Sequence, residues 1–235
     1  MTKKTSSNKL WKNVRRIILR TLVALFSFSL LSVILLKWLP VRYTPLMFLR
    51  YIENIEDGNY RNVREWKSID EISENMVIAV IAAEDNMFLK HFGIDWDAIK
   101  KAVEYNKIHG TRLGASTITQ QTAKNVYLLP SRTWSRKAFE VYFSFLMEIF
   151  WSKKRIMEVY LNVIETGDGI YGIETAAKKY FGKQASELSV YEASQIASIL
   201  PNPRELKIDK PSEKLREKQR KIRTQMLNMK RPVWE

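Results

Sequence analysis

The sequence predicts a mainly α-helical domain held behind a single N-terminal transmembrane helix, and three observations carry that prediction. Residues 17–36 are almost wholly apolar. Beyond them, apolar positions recur three and four residues apart in separate stretches, as on one face of a helix, and none alternates for long as a strand would. Glycines and prolines fall between those stretches.

Residues 1–16 are a basic tail and residues 17–39 a transmembrane anchor. About twenty apolar residues at 1.5 Å each approach the roughly 30 Å hydrocarbon thickness of a bilayer. Arg20 interrupts the first turn, where a long side chain snorkels to the headgroups and shortens the apolar core to residues 21–36, a length that tilt or local thinning accommodates. Lys3, Lys4, Lys9, Lys12, Arg15, Arg16 and Arg20 precede the shortened core with no acidic residue among them, so this end is expected in the cytoplasm and the rest outside. A cleaved signal peptide is the rival, but the apolar stretch is long for one and residues 36–40 offer no small-residue cleavage site. The chain has no cysteine, so disulfides, thiol chemistry and cysteine metal sites are excluded.

About 195 residues follow the anchor, enough for one domain with a sizeable core. The chain carries 39 Lys and Arg against 25 Asp and Glu; seven of the cations precede the shortened core, so the exported part keeps 32 against 25, still basic. That surplus suits anionic headgroups or a phosphate-bearing substrate. Nucleic acid is not expected as a partner, since it is absent from that side and no zinc-finger or RNA-binding signature is present. Residues 40–65 read as a linker or stalk, or a first helix region, punctuated by Pro45 and Gly58. A folded domain spans 66–205, opening with capping residues at Ser68 and Asp70. Its helices are expected at 74–88, 96–105, 117–127, 136–151, 154–164, 173–180 and 189–200, the last ended by Pro201 and Pro203. Residues 206–235 read as a charged tail, helical and weakly packed.

Three clusters carry chemistry. In the first, an apolar run ends at Glu84 and Asp85. A helix through 74–88 would put Glu84 and Phe88 on one face. A carboxylate closing such a run is partly desolvated, which moves its pKa toward the range useful for proton transfer. Alone, a Glu-Asp pair more often caps a helix end. The second cluster, residues 114–125, gathers Ser116, Gln120, Gln121 and Lys124, groups with little reason to share a core. In the third, Arg132, Arg136 and Glu140 would fall four apart on one helix face, with Lys137 beside them; alone, such a run is usually a solvated, salt-bridged surface. The two histidines do not pattern as metal ligands, and His91 reads as a local hydrogen-bonding residue. Ser116 has no histidine patterned beside it, so it reads as a ligand-binding hydroxyl rather than a nucleophile.

Glu84, Asp85, Phe88, His91, Gly93 and Asp95, followed by Gly114, Ser116, Gln120, Gln121 and Lys124, resemble the first two motifs of the peptidoglycan glycosyltransferases. Arg136, Lys137 and Glu140 are similar to the third. Glu158, Tyr160 and Asn162, with the glycines at 167, 169 and 172, are similar to the fourth. Leu188, Ser189 and Glu192 with the exit at Pro201 and Pro203 are similar to the fifth. The likeness runs from about residue 66 to 203. Met157 stands where the family commonly has leucine. Lys101 stands where it often has arginine, a point charge in place of a bidentate fork. The last two motifs read mainly as scaffold, with Glu158 and Asn162 satisfying each other or a helix end.

The resemblance implies a lysozyme-like domain in a membrane-anchored, monofunctional enzyme with no transpeptidase domain. It would sit single-pass in the bacterial inner (plasma) membrane, its catalytic part periplasmic or extracellular, polymerising lipid II by inverting transfer with release of undecaprenyl diphosphate. Glu84 would be the general base and Glu140 the second acidic residue, orienting cations or holding a metal. Ser116, Gln120, Gln121, Lys124, Arg132, Arg136, Lys137 and Phe88 would bind substrate. No cofactor is expected as a requirement; a divalent cation, Mg or Mn, could bridge carboxylate and diphosphate. Partners would be lipid II, the lipid-linked glycan, membrane lipid and other cell-wall synthesis proteins, and the phosphoglycolipid moenomycin an inhibitor. Tyr127, Leu128 and Leu129 are candidates for the membrane interface, with core packing as the alternative. Two rivals stay open: a lysozyme-like lytic enzyme, which would not call for a cationic strip, and a non-enzymatic tethered scaffold, which leaves residues 114–125 without purpose.

Overall fold

The computed structural model describes residues 3–56, 64–110, 114–131 and 133–234. The chain divides into two units, Met1–Leu39 and Pro40–Glu235. The first is one helix, α1 (Lys3–Leu36). Within it Trp11–Leu36, 26 residues, is long and apolar enough to cross a membrane. The helix runs back through the basic tail instead of starting at the apolar stretch, because Lys and Arg are good helix formers and no proline or glycine stands in the way.

The second unit is mainly helical, with a two-stranded ribbon. Helix α2 (Pro45–Glu56) starts at a proline, favourable in a first turn, with the Thr44 hydroxyl accepting from the Met47 N–H. It packs on α5 (Ile118–Tyr127), so part of the expected stalk is docked on the domain. At Ser68, where capping was expected, a short 3-10 turn (Ile69–Glu71) begins, and the Glu71 carboxylate accepts from the Ser68 N–H.

Helix α3 (Glu74–Glu84) is buried on nearly all sides through Met76, Val77, Ala79, Val80, Ile81 and Ala82, the mark of a core helix. It ends four residues short of the expected boundary. Asp85 leaves helical geometry at φ −164° and ψ 79°, so Glu84 and Phe88 do not share a helix face. Helix α4 (Trp96–His109) is capped by Asp95, whose carboxylate accepts from the Ala98 N–H at 2.8 Å. Thr117 caps α5 in a reciprocal box: its hydroxyl accepts from the Gln120 N–H, and the Gln120 carbonyl oxygen accepts from the Thr117 N–H. Helices α6 (Trp134–Phe150) and α7 (Lys153–Val163) flank α5.

Strands β1 (Glu165–Gly167) and β2 (Ile170–Tyr171) pair antiparallel, a ribbon too short for the sequence to signal by alternation. At the turn into α8 (Ile173–Phe181), Gly172 has φ +78°, and a Cβ there would lie 2.9 Å from the Asn162 carbonyl oxygen, so only glycine fits. Asn162 and Glu158 act as scaffold: Asn162 Nδ2 donates to the Glu158 carbonyl at 2.8 Å, and both also hold the domain's entry segment. Asn162 receives the Lys67 N–H and donates to the Lys67 carbonyl, and Glu158 receives the Ile69 N–H at 3.0 Å.

Helix α9 (Val190–Ile199) packs on α3, and α10 (Glu213–Asn228) packs on both. Here the expected weakly packed tail is corrected. Leu215, Gln219, Ile222 and Met226 of α10 are buried, and Ser212 caps it by accepting from the Leu215 N–H. The stripe is one residue wide per turn among Lys and Arg, enough to dock a helix though it dilutes the sequence signal.

Candidate active site

Glu84 closes α3 at the meeting of α3 and α5. Its Oε2 accepts from Gln121 Nε2 at 2.8 Å. Its Oε1 is shielded from solvent and has no hydrogen-bond partner among the described residues. Burial, the largest influence, raises this carboxyl above the ordinary glutamate range, and Asp85 adds to it. The Gln121 hydrogen bond and the charges of Lys218 and Lys124 act the other way. A cavity of about 370 Å³ opens here, lined by Glu84, Asn86, Asp97, Lys101 and Ser116 among others.

Asp85 fixes the frame around Glu84. Its carboxylate accepts from the Ile118 N–H at 3.0 Å, and His91 Nε2 lies 2.9 Å from one oxygen and 3.0 Å from the other. One buried side chain thus ties the end of α3 to the start of α5, an anion at a helix N-terminus. His91 is the local hydrogen-bonding residue its motif position predicts. Gly93, at φ +74°, turns the chain so that its carbonyl accepts from the Thr117 hydroxyl at 2.6 Å.

The cations gather one turn along α5 and on α6. Lys124 is half-buried, and its ammonium makes no hydrogen bond or ion pair with the described residues. Burial holds its ammonium below the ordinary lysine range against the opposing pull of Glu140 and Glu84, and Arg136 and Lys137 lower it further. Glu140 is 3 % exposed, with Oε2 accepting from Arg136 at 2.6 Å and Oε1 from Lys137. Lys137 also donates to Ser116 at 3.1 Å. A second cavity, about 480 Å³, is lined by Arg50, Lys124, Asn125, Arg136 and Glu165. Buried polar atoms of its lining residues lack hydrogen bonds among the described residues: Arg50 Nε, Asn125 Nδ2, Arg136 Nε and Glu165 Oε1.

Of the residues singled out in the sequence, Glu84 and Ser116 line the first cavity, Gln121 joins them through its hydrogen bond to Glu84, and Lys124, Arg136, Lys137 and Glu140 form the adjoining cation cluster. Arg132 lies outside the described residues; α6 begins at Trp134, so its face carries Arg136 and Glu140. Two expectations are corrected. Phe88 is 0 % exposed, its ring beneath Lys153 Nζ at 4.7 Å, and has no surface to offer a substrate. Gln120 is 2 % exposed, its side-chain carbonyl engaged in the α5 cap. The residues present do not fit a resident divalent cation at Glu140, because both its oxygens are already taken by cationic side chains.

Sequence reading missed Lys218, Arg50, Glu165 and Tyr160. Lys218 is on α10, donates to the Ser198 carbonyl at 2.9 Å, and has its pKa lowered by burial against the raising influence of Glu84. Arg50 on α2 places Nε 3.8 Å from Glu165 Oε1. Nothing in the local sequence marks these two cations, which reach the site only through packing. Tyr160 and Glu165 had a signal, since they lie in or beside the fourth motif.

The model of the transglycosylase family matches residues 50–227, beyond the recognisable motifs at both ends and including all but the last residue of α10. The chain is 47 % identical over 213 residues to a biosynthetic peptidoglycan transglycosylase of Bdellovibrio bacteriovorus, covering 90 % of this chain and 85 % of that one. A protein of the same description from Bacteroides thetaiotaomicron is 46 % identical over 212 residues, 90 % of this chain and 86 % of its own. One from Pasteurella multocida is 42 % identical over 220 residues, 92 % and 89 %.

Proposed function

The chain belongs to the transglycosylase family of peptidoglycan synthesis, and from that premise we propose that it polymerises lipid II into glycan strands by inverting glycosyl transfer, releasing undecaprenyl diphosphate. The observation that carries this reading is Glu84 Oε1, a buried carboxylate oxygen without a hydrogen-bond partner among the described residues, beside a cavity and next to a cation cluster.

In this reading the acceptor sugar lies in the first cavity with its 4-hydroxyl on Oε1. Gln121 occupies Oε2, so one oxygen is held while the other is free to take the proton. The acceptor oxygen bonds to the anomeric carbon of the lipid-linked donor as the bond from that carbon to the diphosphate breaks. The configuration inverts, and the electron pair leaves on the phosphate oxygen. A diphosphate departs readily once its charge is met, so the donor side calls for cations more than for an acid. Lys124 and Arg136 line the second cavity and supply them, while Lys137 links Ser116 to Glu140. Glu140 serves by holding Arg136 and Lys137 in place.

Purified full-length protein given labelled lipid II is expected to yield long glycan and free undecaprenyl diphosphate. Conversion of finished glycan into small fragments, with no polymer from lipid II, would establish the lytic alternative. Neither product would leave the scaffold reading.

The basic, acid-free start ahead of Trp11–Leu36 supports an anchor whose N-terminus is cytoplasmic and whose catalytic unit faces outward, where lipid-linked precursors await polymerisation. A reporter active only outside the cytoplasm is expected to work when fused after Glu235 and to fail when fused near Lys12. The opposite pattern would overturn both the topology and the function.

A further inference from the structure

The hydrogen bond on Glu84 Oε2 continues into the core. Gln121 Nε2 donates to Glu84 at 2.8 Å, and the Tyr160 hydroxyl donates to Gln121 Oε1 at 3.2 Å. Tyr160, on α7, is 0 % exposed. We propose that Tyr160 is a positioning residue for glycosyl transfer, its hydroxyl holding the Gln121 amide in the orientation that presents N–H to the Glu84 carboxylate.

The two ends of an amide are nearly equal in size, so its orientation is set by what each end faces. Turned around, Oε1 would meet a carboxylate oxygen, and Nε2 would meet the phenol oxygen. The phenol proton would then lose its acceptor in a fully buried place, a costly loss. Tyr160 stays a neutral donor, because burial first, and then the charges of Glu84 and Asp85, hold its pKa well above the ordinary phenol range.

The consequence falls on the base. Once Glu84 is protonated, it could itself donate to Oε1 if the amide turned, and Tyr160 opposes that turn. It therefore favours the ionised carboxylate, against the burial that favours the neutral form. The charged and titratable groups facing Glu84 come from several elements: Lys124 on α5 and Lys218 on α10 also favour the ionised form, Asp85 at the end of α3 opposes it, and Tyr160 on α7 acts through Gln121.

The inference rests on Glu84 being the base, and the test separates the two. In the full-length protein, Tyr160→Phe is expected to lower kcat about fivefold, the loss a single buried hydrogen bond brings, with KM unchanged. The acid limb of the pH–rate profile is expected to move to higher pH. In a Gln121→Leu background the same substitution is expected to move the limb no further, since the route runs through Gln121. Site-specific 3-fluorotyrosine at position 160, nearly isosteric and a stronger donor, is expected to move the limb to lower pH and decides the matter should Tyr160→Phe fail to fold. An unmoved limb in both variants overturns the proposal, and so does a shift that persists in the Gln121→Leu background. Wild-type polymer yield from Glu84→Gln would instead overturn the assignment of the base.

Discussion

Glu84→Gln is expected to lower polymer formation by at least about a hundredfold, the usual contribution of a positioned proton-transfer group. The substitution changes one atom. An amide at position 84 can still present its oxygen to Gln121 Nε2, so the hydrogen bond that steadies the side chain is kept. What disappears is proton affinity at the place of Oε1, the oxygen without a hydrogen-bond partner among the described residues. The same substitution has an opposite expected effect on stability. Burial raises the Glu84 carboxyl above its ordinary range, so the folded state prefers the protonated form. A group raised in this way contributes stability below its unfolded pKa and loses it as pH rises through the folded one. Wherever the carboxylate is ionised its buried charge therefore weakens the fold, and the amide removes that charge. A melting temperature equal to or above wild type, together with lost polymerisation, is the expected pair of results. A gel assay showing polymer near the wild-type yield would sink the assignment. Lost activity with a lowered melt would make Glu84 structural.

The residues that proved readable from sequence are those whose role is local. Ser68, expected as a capping residue, does open the first turn of the domain, where the Glu71 carboxylate three residues on accepts from its N–H. Glu84 was legible because it closes an apolar run. Where that run stops being helical was not legible. Helix α3 is apolar almost all round, so its pattern has no face to lose, and the chain leaves the helix where Asp85 is drawn to His91 and to the N–H of Ile118, 33 residues on. The second cluster shows the same limit from another side. Sequence places Gln120 and Gln121 together, but adjacent residues on a helix point about 100° apart, so one closes the cap and the other reaches Glu84. Phe88 shares a motif with Glu84 and carries core packing. Lys218 was least visible. Its helix is a thin apolar stripe among charges, and its closeness to Glu84 exists only because α10 packs on α3 and α9.

Lys124→Ala is expected to weaken binding of the phosphoglycolipid inhibitor moenomycin by about ten- to a hundredfold, from about 1.5–3 kcal/mol for one charge-assisted contact. Lys124 is singled out from its neighbours by how their charges are used. Arg136 and Lys137 both bond the Glu140 carboxylate, so part of their charge is answered inside the protein. Lys124 lies one turn beyond Gln121, has no ion pair among the described residues and lines the second cavity, leaving its charge available to an incoming anion. Its folded state again carries a diagnostic. Burial lowers the ammonium pKa, so the folded protein holds this proton less readily than the unfolded chain does. Such a group weakens stability while protonated, and the loss is recovered as pH rises past its unfolded value. Removing the charge therefore relieves a strain at neutral pH, and the melt is not expected to fall by more than the packing of a half-buried aliphatic stem. An ordinary surface lysine would change affinity and stability by little. Titrating moenomycin against Lys124→Ala, with the melt as a fold control, distinguishes the cases. Unchanged affinity with an intact melt removes Lys124 from the anion site. A collapsed melt makes its role structural. Weakened affinity with an intact melt leaves it as the cation that meets the departing diphosphate.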